Sequence, residues 1–163
     1  MTTKNRQGKW KKVLALFLIA PALFLATQAC DEDSDTSLPR TTCGVYFYDL
    51  DAGRQTVDSL TVAALTEHGD SVLYHMYSGE NISLPLRYIG DSTQFSIQQG
   101  DHMPDTLTVV HKNTPSFVSL DAGYVMNYEI LRVRTTRHAI EDITVVSTSI
   151  TTYEQENLAI TYP

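Results

Sequence analysis

The stretch YVMNYEILRV, residues 124–133, decides the fold class. Apolar or aromatic residues alternate with polar ones from Met126 to Ile130, and the β-branched and aromatic residues of the stretch favour the half-buried surface of a sheet. No stretch after residue 30 keeps a helical pattern for long. The best helix candidate is TVAALTEH, 61–68, and a strand fits its start as well. The sequence therefore predicts an all-β domain.

Similar alternation recurs along the rest of the chain. In residues 71–77, for example, it places Val72, Tyr74 and Met76 opposite Leu73, His75 and Tyr77. Turn-forming residues separate the runs at intervals of roughly ten residues. The pattern predicts nine or ten strands in an antiparallel β-sandwich, immunoglobulin-like or related. The other runs are 43–50, 93–98, 105–111, 142–148 and 158–162, and the predicted turns are 51–53, 68–70, 78–79, 90–91, 100–101, 113–115 and 121–123.

The first 29 residues have the pattern of a cleaved export signal. Five basic residues and no acid precede the uncharged run VLALFLIAPALFLA, 13–26. This run contains Pro21 and is shorter than the roughly 20 apolar residues that a spanning helix needs. A short membrane anchor is the alternative, but small residues and a polar run follow at once, which favours cleavage.

Cys30 stands at the predicted cleavage site. A standard signal peptidase and a lipoprotein signal peptidase would both cut after Ala29. The stretch 27–30 resembles a bacterial lipobox, although Thr27 and Gln28 depart from its usual residues. A cysteine at this position favours lipidation, with Cys30 as the acyl acceptor. Two or more acyl chains on one cysteine would anchor the protein stably.

An acidic run follows the cysteine: Asp31, Glu32, Asp33 and Asp35. It is similar to the export tag of Bacteroidetes lipoproteins that are sent to the cell surface, and its plain alternative is a solvated tether. We expect 30–42 to be a flexible tether and 43–163 to be the β-sandwich domain. Loss of residues 1–29 removes five basic residues and no acid, so the net charge of −7 becomes −12. This charge disfavours nucleic acid and anionic membrane surfaces as partners, because both bind patches of Lys and Arg, and we expect no nucleic acid partner.

Cys43 is the second cysteine. If Cys30 is acylated, Cys43 is a buried thiol or an intermolecular bridge. If Cys30 is not acylated, a 30–43 disulfide is feasible in an oxidising compartment.

Several short stretches in a fixed order carry a resemblance to a known family: Cys30, 47–48, 70–74, 82–86, 105–109, 117–119, 123–124 and 156–162. Through them, most of the chain after residue 29 resembles an uncharacterised family of Bacteroidetes lipoproteins, the DUF6452 type. The resemblance implies a β-rich fold and an envelope location, and it implies no reaction. Family members often have a cysteine where this sequence has Ala122, which puts a family disulfide in doubt here.

The chain lacks the motifs of common catalytic and cofactor sites. Among them are G-x-S-x-G, H-E-x-x-H, C-x-x-C and a Gly-rich phosphate loop. Asp101, His102 and Asp105 share a predicted loop but are better explained as solvated residues. Asp49 and Asp51 fit a turn better than a calcium loop. We therefore expect no catalytic residue, no metal site and no cofactor. Glu154 and Glu156, a potential carboxylate pair on one strand, are expected to be solvated edge charges.

Two further kinds of surface site are suggested by the residues. Tyr46, Tyr48, Tyr74 and Tyr77 could stack on sugars or peptides if they lay on an exposed face, although half-buried tyrosines with solvated hydroxyls are commoner. A recurring D-[S/T] pattern matches Bacteroidetes O-glycosylation. It points to the hydroxyls of Ser59, Ser71, Ser92 and Thr106.

We therefore expect a non-catalytic lipoprotein, most simply a structural or accessory module of an outer-membrane assembly. The alternative is a surface lipoprotein that binds glycans or peptides. The lipid on Cys30 would hold it to the outer membrane, facing the cell surface or, alternatively, the periplasm. Other outer-membrane proteins or glycans are the expected partners.

Overall fold

A computed structural model describes residues 40–120 and 122–163 of the chain. This part contains eleven strands and no helix. In chain order the strands are β1 (Thr42–Asp49), β2 (Gly53–Arg54), β3 (Val57–Leu65), β4 (Ser71–Gly79), β5 (Asn81–Pro85), β6 (Ser92–Gln99), β7 (Asp105–Ser119), β8 (Gly123–Thr135), β9 (Asp142–Val145), β10 (Ser149–Ile150) and β11 (Glu156–Tyr162).

The first sheet is built around β1 and β11. These two strands pair in parallel, from Gly44 beside Glu156 to Asp49 beside Tyr162. β5 and β2 pair with the other edge of β1, and β9 pairs with β11, all antiparallel. The expectation of a wholly antiparallel domain is therefore wrong for one pair. The first and last strands can pair in parallel because the whole intervening chain connects them.

The second sheet is antiparallel throughout, in the order β10-β8-β7-β6-β3-β4. β7 and β8 are the longest strands in the described residues, with 15 and 13 residues. They include the stretches 105–111 and 124–133, whose strand assignment is confirmed. The helix alternative for 61–68 is wrong: β3 covers residues 57–65, and its Leu60 and Val62 are buried two residues apart, as in a strand.

One hydrophobic core lies between the sheets. Alternate residues of each sheet point into it, so the two-residue period predicted from the sequence matches the burial. The arrangement is consistent with a β-sandwich. The largest fully buried apolar side chains are Phe47, Phe95, Leu60, Leu84, Leu107, Ile150, Leu158 and Ile160.

β4 departs from the predicted alternation. Its pairing with β3 is interrupted by register shifts, and Met76 has a positive φ of 50°. Leu73 and the next residue, Tyr74, are both half-buried, and His75 and Met76 are both exposed. β-bulges of this kind insert extra residues and re-aim side chains, which a strict two-residue pattern cannot anticipate.

The strand registers define two ends of the domain. At the end that we call the entry end, β1 begins: Thr42 pairs with Pro85, and the Tyr128 hydroxyl donates to Leu86 O at 3.2 Å. At the opposite end, the cleft end, Ile140 N donates to Asp105 Oδ2 at 2.9 Å. The chain therefore enters the domain at one end, and the segment between β8 and β9 covers the other.

Candidate functional site

Cys30 and the acidic residues Asp31, Glu32, Asp33 and Asp35 lie outside the described residues. The same holds for the signal peptide 1–29 and for most of the tether 30–42. Lipid attachment and sorting stay predictions.

The four candidate O-glycosylation residues differ in exposure. Ser71, at the start of β4, is exposed. Ser59, Ser92 and Thr106 are half-buried within or at the start of strands. The Thr106 backbone also pairs with Thr136, since Thr106 N donates to Thr136 Oγ1 at 2.8 Å. On accessibility, Ser71 is the best acceptor of the four.

Tyr46 and Tyr48 lie on the outer face of the first sheet, where they contact Arg54. The Arg54 guanidinium carbon is 4.3 Å from the centre of the Tyr46 ring and 5.9 Å from that of Tyr48. Glu156 completes the cluster: it binds Arg54 at 2.8 Å and accepts the Tyr48 hydroxyl at 2.9 Å. Cation–π contact and an ion pair thus occupy this face. Glu156 is not a solvated edge charge, and Glu154 precedes β11.

Tyr74 and Tyr77 join the edges of the two sheets. The Tyr74 hydroxyl donates to Ser83 O at 3.1 Å and accepts from Ser83 N at 2.9 Å. The Tyr77 hydroxyl donates to Asn81 O at 2.8 Å. Their rings meet edge to face with centres 5.2 Å apart. Both hydroxyls therefore bind the backbone of β5, and the expectation of solvated hydroxyls is wrong for this pair.

The acidic residues that were weighed as metal ligands have different surroundings in the structure. Asp49 Oδ1 accepts from Asp51 N at 2.8 Å and from Ala52 N at 3.0 Å, so the turn interpretation is confirmed. Asp101 and His102 are exposed, whereas Asp105 is buried. No group of three or more His, Cys, Asp and Glu residues is placed to hold a metal ion within the described ranges.

Cys43 is fully buried in the core, and it forms no disulfide among residues 40–120 and 122–163. Burial raises the pKa of its thiol to about 12. The predicted burial of Cys43 in the core is confirmed. The alternative 30–43 disulfide involves Cys30, outside the described residues, and stays a prediction.

A polar cleft of about 700 Å³ opens at the cleft end. Its walls mix both signs of charge: Asp58, Asp101 and Glu141 with Arg137. The Tyr162 side chain also lines it and is buried, and its hydroxyl has no hydrogen-bond partner among the described residues. Burial, and next the neighbouring Asp105 carboxylate, raise the pKa of Tyr162. The cleft can bind polar groups. Ser59, His102 and His138 also line it, and among the described residues no hydrogen bond joins the Ser59 hydroxyl to either imidazole.

The entry end carries a two-stranded arm, formed by residues 112–119 of β7, residues 123–127 of β8 and the turn between them. β6 pairs with β7 only as far as Val110, and β10 pairs with β8 only at Tyr128 and Glu129. No other described strand borders the arm. At about 3.3 Å per residue, the strand from Val110 to Ser119 extends roughly 30 Å.

Exposed apolar side chains concentrate at the entry end. Leu120 at the arm tip is 94% exposed and Ile89 in the β5–β6 loop is 83% exposed. Phe117 and Tyr124 pair edge to face at the tip, with ring centres 5.3 Å apart. Of the fourteen large exposed apolar residues in the described chain, eight lie at this end and two, Leu50 and Met103, lie at the cleft end. The other four lie along β4, β8 and β9: Val72, Met76, Leu131 and Val145. The eight are Tyr88, Ile89, Phe117, Val118, Leu120, Tyr124, Val146 and Tyr153.

A polar network that runs from the buried His111 to the surface fixes the base of the arm. The His111 ring binds Thr93 Oγ1 at 2.8 Å through Nε2 and Asn113 Oδ1 at 2.6 Å through Nδ1. Asn113 Nδ2 donates to Arg87 O and Tyr88 O at 3.1 and 2.9 Å. Since the Asn113 oxygen is an acceptor, Nδ1 of His111 is the protonated nitrogen. The network holds the β5–β6 loop against the arm, so both parts of the apolar surface are positioned together.

The sequence analysis missed the arm because it placed a turn at 113–115. β7 runs straight through Asn113, Thr114 and Pro115 instead. Pro115 has no N–H to donate, and it is tolerated here because no third strand borders β7 beyond Val110. The apolar residues on both sides of the turn at 121–123 were the available signal.

No helix in the described part of the chain is long and apolar enough to span a membrane.

Comparison with known proteins gives one match. The model of a family of unknown function (DUF6452) matches residues 59–162. No curated protein and no solved structure matches the chain.

Proposed function

The chain belongs to the DUF6452 family of unknown function, and on this premise we propose that it is a lipid-anchored, non-catalytic module of the outer membrane. Cys30 is the acyl acceptor, exposed after cleavage of the signal peptide 1–29. Asp31, Glu32, Asp33 and Asp35 direct the protein to the cell surface. The domain acts as a structural or accessory part of a membrane-bound assembly. Its two sheets form an immunoglobulin-like or related sandwich.

The observation that carries this proposal is the coincidence of two features at the entry end. β1 begins there, so the segment that leads back to Cys30 joins the domain at that end. The same end concentrates the exposed apolar side chains. An apolar surface of this kind marks an interaction site, and here it lies on the side from which an anchor would hold the domain.

The alternative, a glycan- or peptide-binding lipoprotein, has less support from the side chains that suggested it. Tyr74 and Tyr77 use their hydroxyls to join the two sheets. Tyr46 and Tyr48 are engaged by Arg54. The remaining feature in its favour is the polar cleft, which could accept a polar ligand.

The experiment that tests the proposal compares the wild type with Cys30→Ala in host cells by membrane fractionation and protease shaving. We expect the wild type to be membrane-bound and shaved, and the variant to be soluble. Membrane-bound but protected wild type would assign the domain to the periplasmic face. Soluble behaviour of both forms would contradict lipidation. Intact mass of the purified protein would show the acyl chains and any sugar on Ser71.

A further inference from the structure

We propose that the tip of the arm inserts into the lipid interface of the membrane and makes a second contact beside the acyl anchor. The inference deepens the proposed function and rests on it for the identity of the membrane. The inserting side chains are Phe117, Val118, Leu120 and Tyr124.

The composition of the arm suits the boundary between lipid headgroups and acyl chains. Residues 112–127, KNTPSFVSLDAGYVMN, contain one acid, Asp121, and one basic residue, Lys112, at the base of the arm. Phe and Leu contribute buried apolar area in peripheral membrane contacts, and Tyr favours the interface because its ring is apolar and its hydroxyl is polar. Leu120, 94% exposed, has no partner to cover it within the described chain.

The position of the arm favours the membrane over other occupants. The arm projects from the end where β1 begins, so an anchor on Cys30 would hold this end toward the lipid. Twelve residues, 30–41, can span at most about 40 Å when fully extended. The arm extends roughly 30 Å beyond Val110. The connection is therefore long enough for the tip and the anchor to reach one membrane together.

The geometry of the arm disfavours the main alternative, addition of a strand from a second protein. An added strand would pair with an open edge of the arm, either β7 beyond Val110 or β8 before Tyr128. Pro115 weakens the β7 edge, because it supplies no N–H for a ladder. The apolar groups also sit at the tip and not along the edge.

A second contact with the membrane would change the orientation of the domain more than its affinity for the membrane. Two acyl chains already anchor a protein stably, but a single flexible attachment leaves the domain free to rotate. Insertion of the tip would fix the sheets across the membrane plane. The polar cleft would then face away from the lipid, where a soluble partner or ligand can reach it.

The test places one indole at the tip. The only tryptophan of the chain is Trp10, in the predicted signal peptide. The acylated protein, carrying Phe117→Trp, is reconstituted into phosphatidylcholine vesicles with and without brominated acyl chains. Met103→Trp, at the cleft end, is the matched control, because Met103 is also exposed and apolar. Flotation of the vesicles measures anchoring independently.

We expect brominated chains to quench the indole at position 117 at least about twofold more than the indole at 103, since a tip in the interface lies beside the acyl chains. Equal quenching in floated vesicles would overturn the inference and leave the anchor standing. An indole at position 117 that is blue-shifted in native membranes but stays unquenched in brominated vesicles would assign the site to a protein partner and would also overturn the inference.

Failure of the anchor has a separate signature. If the wild type does not float, the proposed function fails, and the Phe117→Trp protein is then mixed with excess brominated vesicles. Selective quenching at position 117 would still support lipid contact by the tip. Its absence at the highest lipid concentration would refute it.

Discussion

Both carboxylate oxygens of Asp105 are saturated by the segment that precedes β9, and Ile140 N donates to Asp105 Oδ2 at 2.9 Å. Ala139 N donates to the same oxygen at 2.9 Å, and His138 N and Thr136 Oγ1 donate to Oδ1 at 2.7 and 2.9 Å. The buried Asp105 carboxylate therefore accepts hydrogen bonds from three backbone N–H groups and one hydroxyl. It closes the cleft end of the core.

Replacement of Asp105 by Asn should destabilise the domain strongly. The amide would turn an NH₂ group toward backbone N–H donors and leave them unsatisfied, which costs about 2–4 kcal/mol when charged hydrogen bonds are lost. Urea unfolding measures the effect. Asp101→Asn, in the exposed turn nearby, is the control and should change the free energy of unfolding little. Equal effects of the two substitutions would contradict the role assigned to Asp105.

The Asp105 carboxylate should also make the stability of the domain sensitive to acid. Burial opposes ionisation of Asp105, but the hydrogen bonds from His138, Ala139, Ile140 and Thr136 outweigh it, and the folded pKa lies below 3.8. Because the folded pKa is depressed, the contribution is full above the unfolded pKa and is lost as pH falls through the folded pKa. The difference in the free energy of unfolding between the wild type and Asp105→Ala should therefore decrease below about pH 4. A difference independent of pH from 7 to 3 would refute this.

Tyr74→Phe and Tyr77→Phe should each destabilise the protein by about 1 kcal/mol, the usual net value of one hydrogen bond. Each substitution removes a hydroxyl that binds the backbone of β5 and keeps the ring packing. Tyr124→Phe, at the exposed arm tip, is the control and should be neutral. Thermal unfolding measures all three. Loss of glycan binding without loss of stability would instead revive the stacking role for Tyr74 and Tyr77.

The space around Gly44 predicts that no side chain is tolerated at this position. A Cβ there would lie 2.1 Å from Gln155 O, a backbone atom that cannot move aside easily. Gly44→Ala should therefore cost more than Gly53→Ala, where φ is 86° and the space is open, and where the left-handed backbone costs about 1–2 kcal/mol. Denaturant midpoints compare the two. The opposite order would mean that the loop at Gln155 yields readily.

Cys43 should resist thiol reagents in the folded protein. Burial excludes the reagent and raises the pKa to about 12, so the reactive thiolate is scarce at neutral pH. In a Cys30→Ala chain, Cys43 is the only cysteine, and its rate of labelling should rise only with urea unfolding. Rapid labelling of the folded protein would show that this part of the core opens locally.

The strand content was predictable because burial on one face imposes a period of two, and 105–111 and 158–162 show it without interruption. The bulges of β4 were not, since an extra residue shifts the faces and leaves no local mark in the sequence. The parallel pairing of β1 with β11 was also hidden, because it depends on residues over a hundred positions apart. The continuation of β7 through Pro115 could not be anticipated, because proline indicates a turn unless the neighbouring strand is known to end.

Cys30 and the arm differ in how far the sequence alone could predict them. Cys30 could be proposed from its immediate neighbours, since a cleavage site is read as a linear sequence. The apolar surface at the entry end could not, because Ile89, Leu120 and Tyr153 reach the same end of the domain only through the topology of the sheets.

The parallel pairing of β1 with β11 also sets the time at which the protein can fold. β1 lies in the middle of its sheet, and Val45 pairs with Leu158, which is synthesised more than a hundred residues later. A ribosome-bound or partly translocated chain therefore cannot complete the first sheet until β11 has emerged. This delay would keep the polypeptide unfolded and able to cross a membrane until then, and a chain without β11 would never acquire its native first sheet.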